Sequence, residues 1–145
     1  RKFADIGHIM EKQVNKIKHW ADIVSVHPIA GIESVKQIPN EMKIILIGEL
    51  SSTNNLINTE YKETVKEIAH SIDNCIGIVC QSKMTDTLLN IVPGISLSTT
   101  KDNKGQQYST PNDRSFADIF VVGRSILNSS DPIQMCKNYS LVSTV

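Results

Sequence analysis

The chain has 145 residues, and its 15 basic side chains balance its 15 acidic ones, so the formal net charge at pH 7 is zero. This balance argues against nucleic acid or an anionic membrane as a partner. The longest apolar stretch, Ile44–Ile47, is far too short to span a membrane. The length suffices for one domain with a hydrophobic core, although an α/β barrel usually needs about 250 residues.

Three cysteines, an odd number, are present without the spacing of metal ligands. Cys75 and Cys80 flank the run Ile-Gly-Ile-Val and are expected to be buried free thiols. Free thiols suit a reducing compartment, so we expect a cytoplasmic protein. No two of the four histidines share a ligand spacing with a carboxylate, so no metal site is expected. His27, followed by Pro28 at the end of a predicted strand, is interpreted as structural.

Short apolar runs rich in β-branched residues alternate with segments of helical periodicity. The runs are apolar on both faces, as parallel strands buried beneath helices are. They are Asp22–His27, Lys43–Leu50, Cys75–Cys80, Asn90–Ile95 and Asp118–Val122. Apolar residues recur at three- and four-residue spacing from Ile6 to Trp20 and from Ile57 to Ile72. The alternation predicts an α/β fold with a parallel sheet.

Capping residues mark several predicted helix starts. Asn58 or Thr59 is expected to cap the second periodic segment, with Glu60 in its first turn. Asp131-Pro132 combines a capping side chain with proline at the first helical position, and Thr110-Pro111 repeats that signature.

Polar side chains cluster directly after predicted strands, at Glu49–Ser51, Gln106–Tyr108 and Gly123-Arg124. In a barrel all strand ends of this kind converge on the face that carries the active site. No glycine-rich dinucleotide fingerprint follows a strand, and no P-loop is present. The clusters therefore favour a barrel over an open sheet.

Two groups of residues could carry chemistry. A lysine beside carboxylates stays protonated and can deliver a proton to a carbanion. Lys2 and Asp5 are three residues apart and could share such a site. Spacing alone favours a surface lysine and a helix-capping aspartate instead. Gln106, Tyr108 and Arg124 supply hydrogen-bond donors suited to a phosphate. The alternative interpretation is that these segments are solvent-exposed turns without a ligand.

Several segments, taken together and in order, resemble orotidine 5′-phosphate decarboxylases. The matching segments are RKFADIG (1–7), WADIVSVH (20–27), GELSST (48–53), TEYKETV (59–65), VPGISL (92–97), KGQQYSTP (104–111) and ADIFVVGR (117–124). The Ser-Ser-Thr that follows Glu49-Leu50 is most similar to the decarboxylase domain of eukaryotic bifunctional UMP synthases.

The resemblance implies a homodimeric (β/α)8 barrel that converts orotidine 5′-phosphate to UMP without metal or organic cofactor. Lys2 matches the family's proton donor to C6 of the pyrimidine, and Asp5 matches the carboxylate that reaches the neighbouring subunit's ribose site. Ser51 matches the serine that hydrogen-bonds the pyrimidine. The resemblance also assigns substrate binding to the remaining candidates, which are Pro93, Gln106, Tyr108, Gly123 and Arg124; among these, Gln106, Tyr108 and Arg124 match the phosphate-binding residues.

Some positions depart from the family pattern. The first aspartate of its Asp-x-Lys-x-x-Asp motif would directly precede Arg1, and His8 and Ile9 replace the usual Asn and Thr. Ser125 replaces the glycine after the phosphate-binding arginine, where a side chain could crowd the anion. We therefore expect residues 1–145 to form a single, incomplete barrel domain of about five βα units, inactive when produced alone. A related phosphosugar decarboxylase and a non-catalytic barrel remain the alternatives.

Overall fold

The computed structural model describes residues 2–98 and 101–142, in which six strands form one parallel sheet. The strands are β1 (Lys2–Phe3), β2 (Ile23–Val26), β3 (Lys43–Ile47), β4 (Cys75–Val79), β5 (Leu89–Pro93) and β6 (Ile119–Val121). Each pairs in parallel with the next along the chain. This consecutive order is that of an α/β barrel, whereas a doubly wound sheet reverses its order at a switch point. The five predicted strands are confirmed, with small shifts at their ends.

The helices are α1 (Gly7–Asn15), α2 (Ile32–Val35), α3 (Thr59–Ser71), α4 (Arg124–Leu127) and α5 (Pro132–Val142). Two predicted caps are confirmed by hydrogen bonds. Asn58 Oδ1 accepts from the amide of Tyr61 at 2.9 Å, and Asp131 Oδ1 accepts from the amide of Gln134 at 2.9 Å. No helix in the described ranges is long and apolar enough to cross a membrane.

Two helix predictions were wrong in extent. The apolar periodicity continues to Trp20, but α1 ends at Asn15 and Trp20 is 68% exposed. After Asn15 the chain tightens into short-range turns, with Trp20 N donating to Ile17 O at 3.0 Å. Thr110-Pro111 starts only a 3-10 turn, because the Asp113 carboxylate accepts from both the amide and the hydroxyl of Thr110 and closes the segment locally.

The two faces of the sheet form separate hydrophobic cores. The larger core lies between sheet and helices and includes Met10 and Val14 of α1 and Val65 and Ile68 of α3. The smaller core lies on the opposite face and consists of Ile47, Val79 and Ile91, with Ile45, Leu50 and Leu89 packed against them. Cys75 and Cys80 are buried free thiols, as predicted, and burial raises the pKa of both.

The smaller core is exposed to solvent where it reaches β6. Ile119 and Val121 are in register with Ile91 and Pro93 of β5, yet they are 42% and 48% exposed. Closing an α/β barrel takes eight strands, so the described six leave β1 and β6 as free edges. Apolar side chains on an unpaired edge strand invite pairing with another chain.

We expect residues 1–145, produced alone, to self-associate through β6. Replacing Ile119 and Val121 with lysine should weaken the association about tenfold, because charge on an edge strand opposes strand addition and the apolar area is lost. The matched control is Ile133→Lys on α5, an isoleucine that is 72% exposed away from the edge. Sedimentation velocity measures the difference. A chain that stays monomeric, or an equal effect of both substitutions, would contradict the role of this edge.

Candidate active site

A cavity of about 240 Å³ opens at the carboxyl ends of the strands. Residues at the ends of β1, β5 and β6 line it, together with the segments that follow β3, β5 and β6. The structure brings together in its wall Lys2, Ser51, Pro93, Gln106, Tyr108, Gly123 and Arg124. These are the residues predicted from the sequence, with the exception of Asp5.

The segment 101–107 folds back as a hairpin over the end of β3. Lys101 and Gln107 form an antiparallel bridge, and Asp102 N donates to Gln106 O at 3.0 Å. Gln106 Nε2 donates to Ser51 Oγ at 2.6 Å, and Gln107 N donates to Ser51 O at 2.8 Å. Ser51 therefore fastens the hairpin to the sheet, and the cavity is covered on that side.

Gly94 is the point of closest approach between this hairpin and β5. Its φ is +78°, and an added Cβ would lie 2.8 Å from Gln106 Nε2, 2.9 Å from Gln107 O and 2.9 Å from Ser51 Cβ. Gly94 O also accepts from Ser109 N at 2.9 Å. Only glycine meets both demands, since a side chain is strained at this φ and has no room.

Arg124 lies at the first residue of α4 and lines the cavity with half of its side chain exposed. Its guanidinium carbon is 5.7 Å from the centre of the Tyr108 ring, within the range of a cation–π interaction. Its Nη1 donates to Asp102 Oδ2 at 2.5 Å. The hairpin thus supplies the carboxylate that holds this arginine, and Tyr108, the residue directly after the hairpin, supplies the aromatic face.

Ser125, whose side chain could crowd an anion, does not line the cavity that contains Lys2 but lines a neighbouring one of about 440 Å³ together with Tyr108 and Arg124. Its hydroxyl shares a hydrogen bond of 2.5 Å with the hydroxyl of Tyr139 on α5. The Tyr139 hydroxyl also accepts from Leu97 N at 3.0 Å. The serine side chain therefore links α4 to α5.

Lys2 and Asp5 lie in different surroundings, although they are close in sequence. β1 ends at Phe3, and the exposed Lys2 side chain lines the cavity. The Asp5 carboxylate accepts from Ile6 N at 2.9 Å and from Gln13 Nε2 at 3.0 Å, and it is not among the residues that line this cavity in the described chain. The structure therefore does not place Asp5 in the wall of the cavity that Lys2 lines.

His27, interpreted from the sequence as structural, lies beside Lys2 at the end of β2. Its amide donates to Phe3 O at 2.8 Å. Burial, and then the positive charge of Lys2, lower the pKa of His27 below 6.5. The neutral imidazole is consequently favoured next to the ammonium group.

Glu49 has a structural role that sequence reasoning did not identify. Its carboxylate accepts from the amides of Gln81 and Ser82 at 2.6 and 2.7 Å and from Lys62 Nζ at 3.1 Å. Burial acts to raise the pKa of Glu49, but these hydrogen bonds outweigh it and the pKa is lowered. Gln81 Nε2 in turn donates to Pro93 O at 2.9 Å, so one carboxylate connects the ends of β3, β4 and β5. The only sequence signal was an acidic residue close after a buried strand.

Relatives with established names match nearly the whole chain. It is 36% identical to uridine 5′-monophosphate synthase of Bos taurus over 96% of its length, and 34% identical to orotidine 5′-phosphate decarboxylase of Pichia kudriavzevii over 96%. The chain spans only 32% of the first relative and 61% of the second.

Solved structures show the same fold at lower identity. Orotidine 5′-monophosphate decarboxylase of Methanocaldococcus jannaschii, in complex with the inhibitor BMP, superimposes with a TM-score of 0.79 at 21% identity. The match covers 99% of this chain and 72% of that one. The corresponding decarboxylase of Pyrococcus horikoshii gives a TM-score of 0.73 at 22% identity.

Consecutive parallel strands with a polar cavity at their carboxyl ends define the chain as a sector of an α/β-barrel protein. A model of the orotidine 5′-phosphate decarboxylase / HUMPS family matches residues 1–139, and the chain belongs to this family.

Gly94→Ala in the full-length protein should loosen the hairpin. A non-glycine residue at this φ costs about 1–3 kcal/mol even before the steric conflict with Gln106 and Ser51. We expect limited proteolysis within 101–107 to speed up by roughly tenfold. Gly123→Ala is the control, because an added Cβ there meets nothing within 4 Å. Unchanged cleavage in Gly94→Ala would mean that the hairpin does not depend on this contact.

Proposed function

We propose that the full-length protein decarboxylates orotidine 5′-phosphate to UMP. The observation that carries this proposal is the convergence of Lys2 and the anion-binding donors Gln106, Tyr108 and Arg124 on one cavity. A proton donor and a phosphate site at a common strand-end face are what the reaction requires. Membership of the decarboxylase family supports the assignment, and the names of the relatives favour the pyrimidine substrate over a phosphosugar.

Lys2 acts as the proton donor in this proposal. The bond between C6 and the carboxylate carbon breaks, carbon dioxide leaves, and the electron pair remains on C6. The Lys2 ammonium then donates its proton to C6, which yields UMP and a neutral amine. The neutral form of His27 beside Lys2 adds no positive charge that would oppose the protonated lysine. Ser51 and Pro93 line the same cavity as Lys2 and the phosphate-binding residues, so Ser51 is assigned to the pyrimidine, as the family resemblance implies, and Pro93 to the substrate.

The phosphate end provides binding energy at a distance from the reacting carbon. Gln106, Tyr108 and Arg124 offer an amide, a hydroxyl and a guanidinium, all of them donors. Interactions remote from the chemistry can hold a loop closed and exclude water from a developing carbanion. The hydrogen bond from Gln106 to Ser51 joins the phosphate-binding hairpin to the pyrimidine-binding segment, so closure of one supports the other.

We further propose a cytoplasmic homodimer that works without metal or organic cofactor. Asp5 is assigned to the ribose of the neighbouring subunit's substrate. The position of its carboxylate, outside the cavity that Lys2 lines, supports a role in trans. The buried free thiols of Cys75 and Cys80 support a reducing compartment.

Lys2→Ala in the full-length protein should abolish decarboxylation while UMP binding stays within about tenfold, which corresponds to about 1.4 kcal/mol. Proton delivery stabilises the transition state more than the bound product. The decarboxylation rate is measured by carbon dioxide release, and the affinity for UMP is measured by calorimetry. Near-normal turnover would exclude Lys2 as the acid.

Asp5 is tested by mixing two inactive proteins, Lys2→Ala and Asp5→Ala. If Asp5 acts across the interface, one site of each mixed dimer has both native side chains, and activity returns to about a quarter of the wild-type value when subunits exchange at random. If Asp5 acts within its own subunit, every site retains one defect and no activity returns. Each protein mixed with itself is the control.

A further inference from the structure

Asp102 is the one hairpin residue whose side chain contacts both Gln106 and Arg124 in the described chain. Its Oδ1 accepts from the amides of Lys104 at 2.8 Å and Gln106 at 3.0 Å, which closes the turn of the hairpin. Its Oδ2 accepts from Arg124 Nη1 at 2.5 Å. The Gln106 amide first, then the Lys104 amide and Arg124, hold the pKa of Asp102 below its ordinary value, so the carboxylate is charged at neutral pH.

The Asp102 carboxylate reaches Arg124 from outside the cavity that contains Lys2. Arg124 and Tyr108 line this cavity and also a neighbouring one of about 440 Å³, whereas Asp102 lines that neighbouring cavity and a third one but not the cavity that contains Lys2. Among the residues that the structure describes, the guanidinium donates only through Nη1, so Nη2 and Nε retain N–H groups for a ligand. The Tyr108 ring limits the arginine on another side. An arginine held in this way has lost much of its rotamer freedom before any ligand arrives.

We infer that Asp102 is a positioning residue that sets Arg124 and Gln106 in place for the phosphate of the ligand. This inference rests on the proposed function, because it assumes that both residues bind a phosphate ester. The Asp102 side chain is 18% exposed and that of Arg124 49%, so solvent reaches this ion pair, and its consequence is the position of the arginine rather than a large gain in stability. Asp102 itself touches no ligand in this arrangement.

The substitution Asp102→Asn removes the negative charge of residue 102 but keeps the oxygen that accepts hydrogen bonds in the turn. The amide oxygen of asparagine can still accept from Lys104 and Gln106, since asparagine forms the same turn as aspartate. The negative charge that holds Arg124 is lost. Asp113→Asn is the matched control, because Asp113 caps the next turn of the same segment through Thr110 and belongs to neither cavity wall near Arg124.

The experiment measures UMP and uridine affinity by calorimetry in the full-length protein, with KM and kcat for orotidine 5′-phosphate. We expect Asp102→Asn to weaken UMP about tenfold and to raise KM in parallel, with uridine affinity unchanged. Asp113→Asn should leave both affinities unchanged. In an Arg124→Ala background, Asp102→Asn should have no further effect on UMP, because the positioning acts through that arginine.

Four results would overturn the inference. Unchanged UMP affinity in Asp102→Asn would show that Arg124 needs no positioning. Tighter UMP binding would show that Asp102 competes with the phosphate for the guanidinium. Equal losses for UMP and uridine, or a full effect in the Arg124→Ala background, would show a general structural role. If the wild-type protein itself binds UMP no better than uridine, the proposed function fails instead, so the two failures are distinguishable.

Discussion

Parallel pairing of consecutive strands is the constraint on which the candidate site depends. Because each strand runs in the same direction as its neighbours, the carboxyl ends of β1, β3, β5 and β6 all lie at one edge of the sheet. Residues that are far apart in the chain, such as Lys2 and Arg124, therefore line a common cavity. An antiparallel arrangement would have placed half of them on the opposite edge.

The cavity also depends on how closely the hairpin 101–107 approaches the sheet. Gly94 allows the approach, and Ser51 holds the hairpin through both its hydroxyl and its carbonyl group. The hairpin contributes Gln106 directly and holds Arg124 through Asp102. Binding residues on a loop are usually mobile, but here the loop is tied to two strands and one helix. The side chains of Gln106 and Arg124 are consequently held in place by contacts within the described chain.

The partly buried carboxylate of Glu49 connects the carboxyl ends of β3, β4 and β5 through hydrogen bonds. A carboxylate that is 13% exposed is costly unless donors surround it, and here two amides, a hydroxyl and an ammonium do so. Through Gln81 the same network reaches Pro93 on β5. Pro93, which is assigned to the substrate, is thus linked through Gln81 to a carboxylate that does not line the cavity of Lys2.

Local sequence determined the elements and the candidate residues. Strand and helix periodicity, the Asn58 cap and the motif segments are readable because they depend on neighbours within a few positions. Tertiary structure alone decided that α1 ends at Asn15, that Glu49 pairs with Gln81 and Ser82 32 and 33 residues away, and that Asp102 holds Arg124. These contacts join residues that only the folded sheet brings together, and no local pattern in the chain records which distant donor a carboxylate will meet.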